Sequence, residues 1–143
     1  MKKLPYVLML EDDGDDRHLT KAFFADQGYD LGLEFIEDAE GVLPYLENCH
    51  KNNIPLPGLI ILDKNTPGKT GFEVLQELKT NLNFQQVPVV MISGTAFPAE
   101  VSEAYRLGVN SYITKPVSHQ LTVKKIDTCI RYWFETVDLP QFV

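Results

Sequence analysis

Five short apolar runs alternate with five segments of helical spacing, and this alternation constrains the fold more than any other feature of the chain. The runs Tyr6 to Leu10, Leu59 to Leu62 and Val89 to Ile92 are continuous and rich in branched residues, whereas Leu31 to Ile36 and Ser111 to Thr114 are weaker. A repeated alternation of strand and helix predicts a parallel sheet with helices on both faces. Continuous apolar runs suit central strands buried on both sides, so we expect a doubly wound α/β fold with five parallel strands and two weaker edge strands.

The segments between the runs carry the end signals of helices. Gly108 is a plausible C-cap of the fourth helix, and Ser118 is the predicted N-cap of the fifth. Pro44 lies inside the second predicted helix and should kink or shorten it, because proline lacks the amide proton. The apolar stripe of the last helix consists of Val123, Ile126, Ile130, Trp133 and Val137.

The bulk properties narrow the class of protein. A length of 143 residues fits one domain, here expected to span 1–143 with a C-terminal extension at about 136–143 and no output domain. The net charge of −7 opposes binding to nucleic acid. No apolar run approaches the ~20 residues that cross a bilayer, so we expect a cytoplasmic protein without a membrane partner.

Polar side chains follow four of the predicted strands at the point where each strand ends. Because carboxyl ends of parallel strands lie at one edge of the sheet, these side chains should converge in a single crevice. The residues are Glu11, Asp12, Asp63, Ser93 and Lys115.

Three carboxylates close together repel one another unless a cation compensates them. Oxygen ligands of this kind suit Mg²⁺, with Mn²⁺ as a possible substitute, held together with a phosphate oxygen. Lys115 and the Ser93 hydroxyl could hold further phosphoryl oxygens. Asp63, at the end of the central strand, is the best-placed nucleophile.

Four segments in this order resemble the successive signatures of CheY-like receiver domains of response regulators, over about residues 5–135. The segments are Leu8 to Asp13, Leu62 to Gly68 with Gly71, Met91 to Gly94 and Tyr112 to Pro116. The resemblance implies a flavodoxin-like sheet of strand order 2-1-3-4-5. It also implies a phospho-acceptor in bacterial two-component or phosphorelay signalling, a protein that catalyses only its own phosphorylation and dephosphorylation.

The resemblance assigns a role to each residue of the crevice. Asp63 would receive the phosphoryl group from a sensor histidine kinase or a phosphotransfer protein. Asp12 and Asp63 would bind the metal directly, Glu11 through a water molecule and Asn65 through its backbone carbonyl.

The resemblance also implies a switch. Ser93 would move towards the phosphoryl group, Lys115 would bind it, and Tyr112 would be the switch aromatic, although an aromatic on a strand is equally compatible with plain packing. The bond before Pro116 would be cis, as only X-Pro bonds readily are. Lys64 departs from the family, which usually has an apolar residue there.

The output surface is expected to be the face formed by helix 4, strand 5 and helix 5, which would bind an unknown downstream protein or a second copy of the chain. The stretch from Tyr132 to Pro140 is similar to that of stand-alone regulators that partner phytochromes. Trp133 and Phe134 within it are interpreted mainly as packing residues.

Two other functions are compatible with parts of the sequence. A phosphatase or phosphotransferase of the haloacid dehalogenase type also forms an aspartyl phosphate, but it requires a second acid two residues on, where this chain has Asn65. A calcium loop would require Glu where Val74 stands.

Overall fold

A computed structural model of the chain describes residues 5–66 and 68–140. Five strands and five α-helices alternate, with a short 3₁₀ turn before α2 and a π-helical turn after α5. Their bounds are β1 Tyr6–Leu10, α1 Gly14–Asp26, β2 Gly32–Ile36, the 3₁₀ turn Ala39–Gly41, α2 Val42–Lys51, β3 Leu59–Asp63, α3 Gly71–Lys79, β4 Val89–Ser93, α4 Pro98–Arg106, β5 Ser111–Thr114, α5 His119–Arg131 and the π-helical turn Tyr132–Thr136.

The five strands form one parallel sheet of order β2-β1-β3-β4-β5. This confirms the predicted fold class and strand order. Strands β3 and β4 are buried along their whole length, whereas β2 and β5 at the two edges are only partly covered. The continuous apolar runs therefore do mark the strands that are covered on both faces.

Alternate residues of each central strand pack on opposite faces of the sheet. Leu8 and Leu10 of β1 belong to a core shared with α2, α3 and α4, while Val7 and Met9 belong to a second core shared with α1 and α5. An apolar layer on each face thus packs the sheet against its helices. The carboxyl ends of the strands are left as the polar edge.

The helix ends agree with the sequence signals in position, with two differences in detail. Gly108 has a φ of 102°, and its amide bonds to Tyr105 O while that of Val109 bonds to Ala104 O, which is a Schellman ending. Ser118 is the N-cap residue of α5, but its side chain makes no capping hydrogen bond. Pro44 does not interrupt α2, which runs from Val42 to Lys51 with the proline in its first turn, where a missing amide proton costs little.

The C-terminal stretch folds back against the sheet. Val123, Ile126 and Ile130 are buried, and Trp133 and Phe134 are partly buried in the core beneath α1 and α5. A Cβ at Gly58 would lie 2.8 Å from Phe134 Cε1, so the aromatic ring sits directly on that backbone. The predicted extension at 136–143 is described as far as Pro140, and residues 141–143 lie outside the described residues.

None of the helices in the described part of the chain is both long and apolar enough to span a membrane.

Candidate functional site

The strand register brings the predicted site residues to one edge of the sheet. Leu10 pairs with Leu62, so Glu11 and Asp63 emerge side by side from β1 and β3. On the other side, the Lys64 amide bonds to Ile92 O at 3.0 Å, and the Lys115 amide bonds to Ser93 O at 2.7 Å. The crevice predicted from the strand ends is therefore present.

The three carboxylates form a compact acidic cluster. One ligand oxygen from each of Glu11, Asp12 and Asp63 lies within 4.8 Å of the others. Glu11 is 4% and Asp63 5% exposed, whereas Asp12 faces solvent. Burial, together with the nearby Asp63 charge, raises the pKa of Glu11 to about 7 against the opposing effect of Lys115. Three oxygen donors at this spacing, one of them costly to ionise, fit a hard divalent cation.

Lys115 is the cation that the structure places against this cluster. Its Nζ lies 2.7 Å from Asp63 Oδ2 and 4.0 Å from Glu11 Oε1. Burial alone lowers the pKa of Lys115, but its hydrogen bond to Asp63 and the nearby carboxylates outweigh this, so the pKa is raised. Lys115 therefore stays charged beside the Asp63 carboxylate.

The expectation of a cis bond before Pro116 is wrong in this structure, where the peptide bonds of the described residues are all trans. Trans is the intrinsically favoured isomer even before proline, by about 0.5–1 kcal/mol. Lys115 already reaches Asp63 with a trans bond, so this contact gives no reason for the rarer isomer.

Asn65 and Ser93 complete the surroundings of Asp63. The Asn65 amide donates to Asp63 Oδ1 at 3.0 Å, and its side-chain Nδ2 lies 3.5 Å from Ser93 Oγ. Ser93 is fully buried. Pro67, within the matching motif, lies outside the described residues.

The Ser93 hydroxyl is held by the loop that follows β4. Thr95 N donates to Ser93 Oγ at 3.2 Å, and the two hydroxyls are 3.4 Å apart. Tyr112 is connected to the same loop, because its hydroxyl donates to Thr95 O at 2.7 Å. The predicted switch residues Ser93 and Tyr112 thus meet at one residue that the sequence reasoning did not single out.

Two further residues near the site were missed. Glu100 of α4 lies 2.6 Å from Lys64 Nζ, and Arg17 of α1 donates to Glu11 O at 2.9 Å. Both lie near the N-terminal ends of helices whose orientation no local pattern fixes, Glu100 in the first turn of α4. An acid in the first turn is ordinarily explained by the helix dipole alone.

Comparison with known proteins decides the family. A model of the response regulator receiver domain matches residues 7–127. The chain belongs to this family.

The receiver domain has relatives of similar length. It is 33% identical over 135 residues to the response regulator Rcp1 of Synechocystis sp., covering 94% of this chain and 92% of Rcp1. It is 29% identical over 121 residues to the chemotaxis protein CheY of Pseudomonas aeruginosa, covering 85% of this chain and 92% of CheY.

Solved structures of response regulators have the same fold as this chain. The phosphorylated cyanobacterial phytochrome response regulator RcpA matches with a TM-score of 0.88 at 28% identity, covering 96% of this chain and 99% of RcpA. The Mn²⁺-bound form of Rcp1 matches with a TM-score of 0.85 at 32% identity, covering 95% and 99%. The receiver domain is a phospho-acceptor response regulator of two-component signalling, as predicted, and nothing supports the haloacid dehalogenase alternative.

Proposed function

We propose that Asp63 accepts the phosphoryl group, with Mg²⁺ bound by Asp12, Asp63 and the Asn65 carbonyl and, through water, by Glu11. The position of Asp63 supports this role. It is a buried carboxylate at the end of the central strand, 2.7 Å from Lys115 and one of three acids whose ligand oxygens lie within 4.8 Å. The bound cation would neutralise charge on the acids and on the incoming phosphate.

The donor is a phosphohistidine of a sensor kinase or phosphotransfer protein. A carboxylate oxygen of Asp63 attacks phosphorus, the new P–O bond forms as the P–N bond breaks, and the imidazole leaves and takes up a proton. Lys115 and the Asn65 amide hold the Asp63 oxygens in place before transfer. Hydrolysis of the aspartyl phosphate returns the chain to its resting state, so the domain acts on itself and not on a separate substrate.

The phosphoryl state is read at the face formed by α4, β5 and α5. An open groove of about 720 Å³ lies between β5 and the C-terminal half of α5, with Tyr112, Cys129 and Trp133 among its lining residues. Tyr105 and Tyr132 are each half exposed. Apolar and aromatic surface next to the switch residue suits binding of a downstream protein or of a second copy of the chain.

Substitution Asp63→Asn tests the acceptor. The parent is expected to take up acid-stable, base-labile phosphate from acetyl phosphate or a phosphohistidine donor, and the variant is expected to lose this labelling. Asp15→Asn, a first-turn acid of α1, is the matched control and should label like the parent. Full labelling of Asp63→Asn at another residue would contradict the assignment.

A further inference from the structure

Lys64 and the Ser93 hydroxyl are connected through side chains of the β4–α4 region. Lys64 Nζ lies 2.6 Å from Glu100 Oε2, and the same oxygen accepts from Thr95 Oγ1 at 3.0 Å. Thr95 in turn holds Ser93 through its amide and its hydroxyl. The residue directly after the acceptor is thus linked to the hydroxyl expected to bind the phosphoryl group.

The Lys64 side chain is well shielded for a charged group. Only 11% of it is exposed, and its Nζ lies 5.5 Å from the centre of the Phe72 ring. The hydrogen bond from Lys64 lowers the pKa of Glu100, with a smaller contribution from Thr95. A shielded ammonium needs a partner, so Glu100 is drawn towards the β3–α3 connection.

We infer that Lys64 and Glu100 form a latch that holds Thr95, and through it Ser93, in the resting position, and so limits how readily the phosphorylated conformation is reached. The inference rests on the proposed roles of Asp63 and Ser93. Lys64 is then a positioning residue that acts through Glu100 and Thr95, without contacting the phosphoryl group.

The direction of the effect follows from which contacts each state can make. Ser93 Oγ is engaged by Thr95 in the resting structure, and a bond to a phosphoryl oxygen competes with those contacts. Glu100 stabilises Thr95 where it is, so breaking the ion pair weakens only the resting arrangement. A change that destabilises one of two states shifts the population towards the other.

The substitution Lys64→Met distinguishes the latch from a simple attraction of anions by the Lys64 charge. Methionine keeps the unbranched apolar stem beside Phe72 and removes the charge. If Lys64 only attracted anions, its loss would weaken binding of beryllofluoride, a phosphoryl mimic, at Asp63. The latch predicts the opposite, tighter binding by about threefold at saturating Mg²⁺, because the resting state is the one that loses an interaction.

Glu100→Gln is the second variant. It should also increase the affinity for beryllofluoride, but by less than Lys64→Met does, because the glutamine amide still accepts hydrogen bonds. Glu103→Gln is the control, since Glu103 is on the same helix and pairs with Arg106 at 2.7 Å outside this network. Faster exchange of the Thr95 amide in Lys64→Met, measured by NMR without beryllofluoride, is the accompanying structural readout.

Titration of the parent and of Asp63→Asn with beryllofluoride tests the acceptor role of Asp63 separately from the latch. If the parent does not bind, or if Asp63→Asn binds equally well, the proposed acceptor fails and the latch with it. If the parent binds through Asp63 while Lys64→Met and Glu100→Gln bind no tighter than Glu103→Gln, only the latch is refuted. Tighter binding in both variants together with faster Thr95 exchange supports it.

Discussion

Glu11→Gln is expected to stabilise the metal-free protein at neutral and alkaline pH and to leave its stability nearly unchanged at pH 4. Glu11 is buried beside Asp63, and Lys115 Nζ comes no nearer to its carboxylate than 4.0 Å. Ionised Glu11 is therefore poorly compensated until a divalent cation binds. Glutamine has the same size and can still accept a hydrogen bond from the Asp13 amide, whose nitrogen lies 3.4 Å from Glu11 Oε2.

The magnitude follows from the pKa of Glu11, which burial raises from 4.5 to about 7. Below pH 4.5 the group is protonated in both the folded and the unfolded chain, so it has no effect on stability. As the pH rises towards 7 the unfolded chain releases the proton first, and the free energy of unfolding falls. Each pKa unit corresponds to about 1.4 kcal/mol, so the full loss above pH 7 is on the order of 3 kcal/mol, as an upper limit.

Urea unfolding in EDTA at several pH values measures this effect. The difference in unfolding free energy between Glu11→Gln and the parent should grow from near zero at pH 4 to about 1–3 kcal/mol at pH 8, and Mg²⁺ should reduce it by stabilising the parent. Glu37→Gln, whose side chain is 74% exposed, is the control and should show no such growth. A difference that is absent at pH 8, or constant across the pH range, would refute the reasoning.

Two further predictions concern the metal and the output. Asp12→Ala is expected to remove Mg²⁺ binding more completely than Glu11→Ala, because Asp12 is the proposed direct ligand. An Mg²⁺ affinity of Asp12→Ala equal to that of the parent, measured by calorimetry, would contradict this. Beryllofluoride is expected to change the sedimenting mass or the amide protection of residues 94–135, because occupation of Asp63 should draw Ser93 towards the bound group. If neither changes at full occupancy, the face of α4, β5 and α5 is not the output surface.

The fold and the position of the site followed from the sequence because both depend on periodicity and strand order. Apolar runs mark buried strands, and in a parallel sheet the residue after each strand lies at a common edge. The sequence alone therefore groups Glu11, Asp63, Ser93 and Lys115.

Contacts that depend on how a helix is seated could not be derived in this way. The orientation of α4 decides that Glu100 meets Lys64, and the sequence offers only an acid in a first turn. The isomer of the bond before Pro116 was likewise expected from the family and not from local physics, which favours trans.

Thr95 shows why the loop after β4 matters more than its sequence indicates. Its amide and hydroxyl hold Ser93, its hydroxyl also reaches Glu100, and its carbonyl accepts from Tyr112. A movement of Thr95 that frees Ser93 must therefore displace the acceptor of the Tyr112 hydroxyl as well. The Ser93 hydroxyl and the Tyr112 ring are thus linked through one residue, and this is the route by which we expect a change at Asp63 to reach the face of α4, β5 and α5.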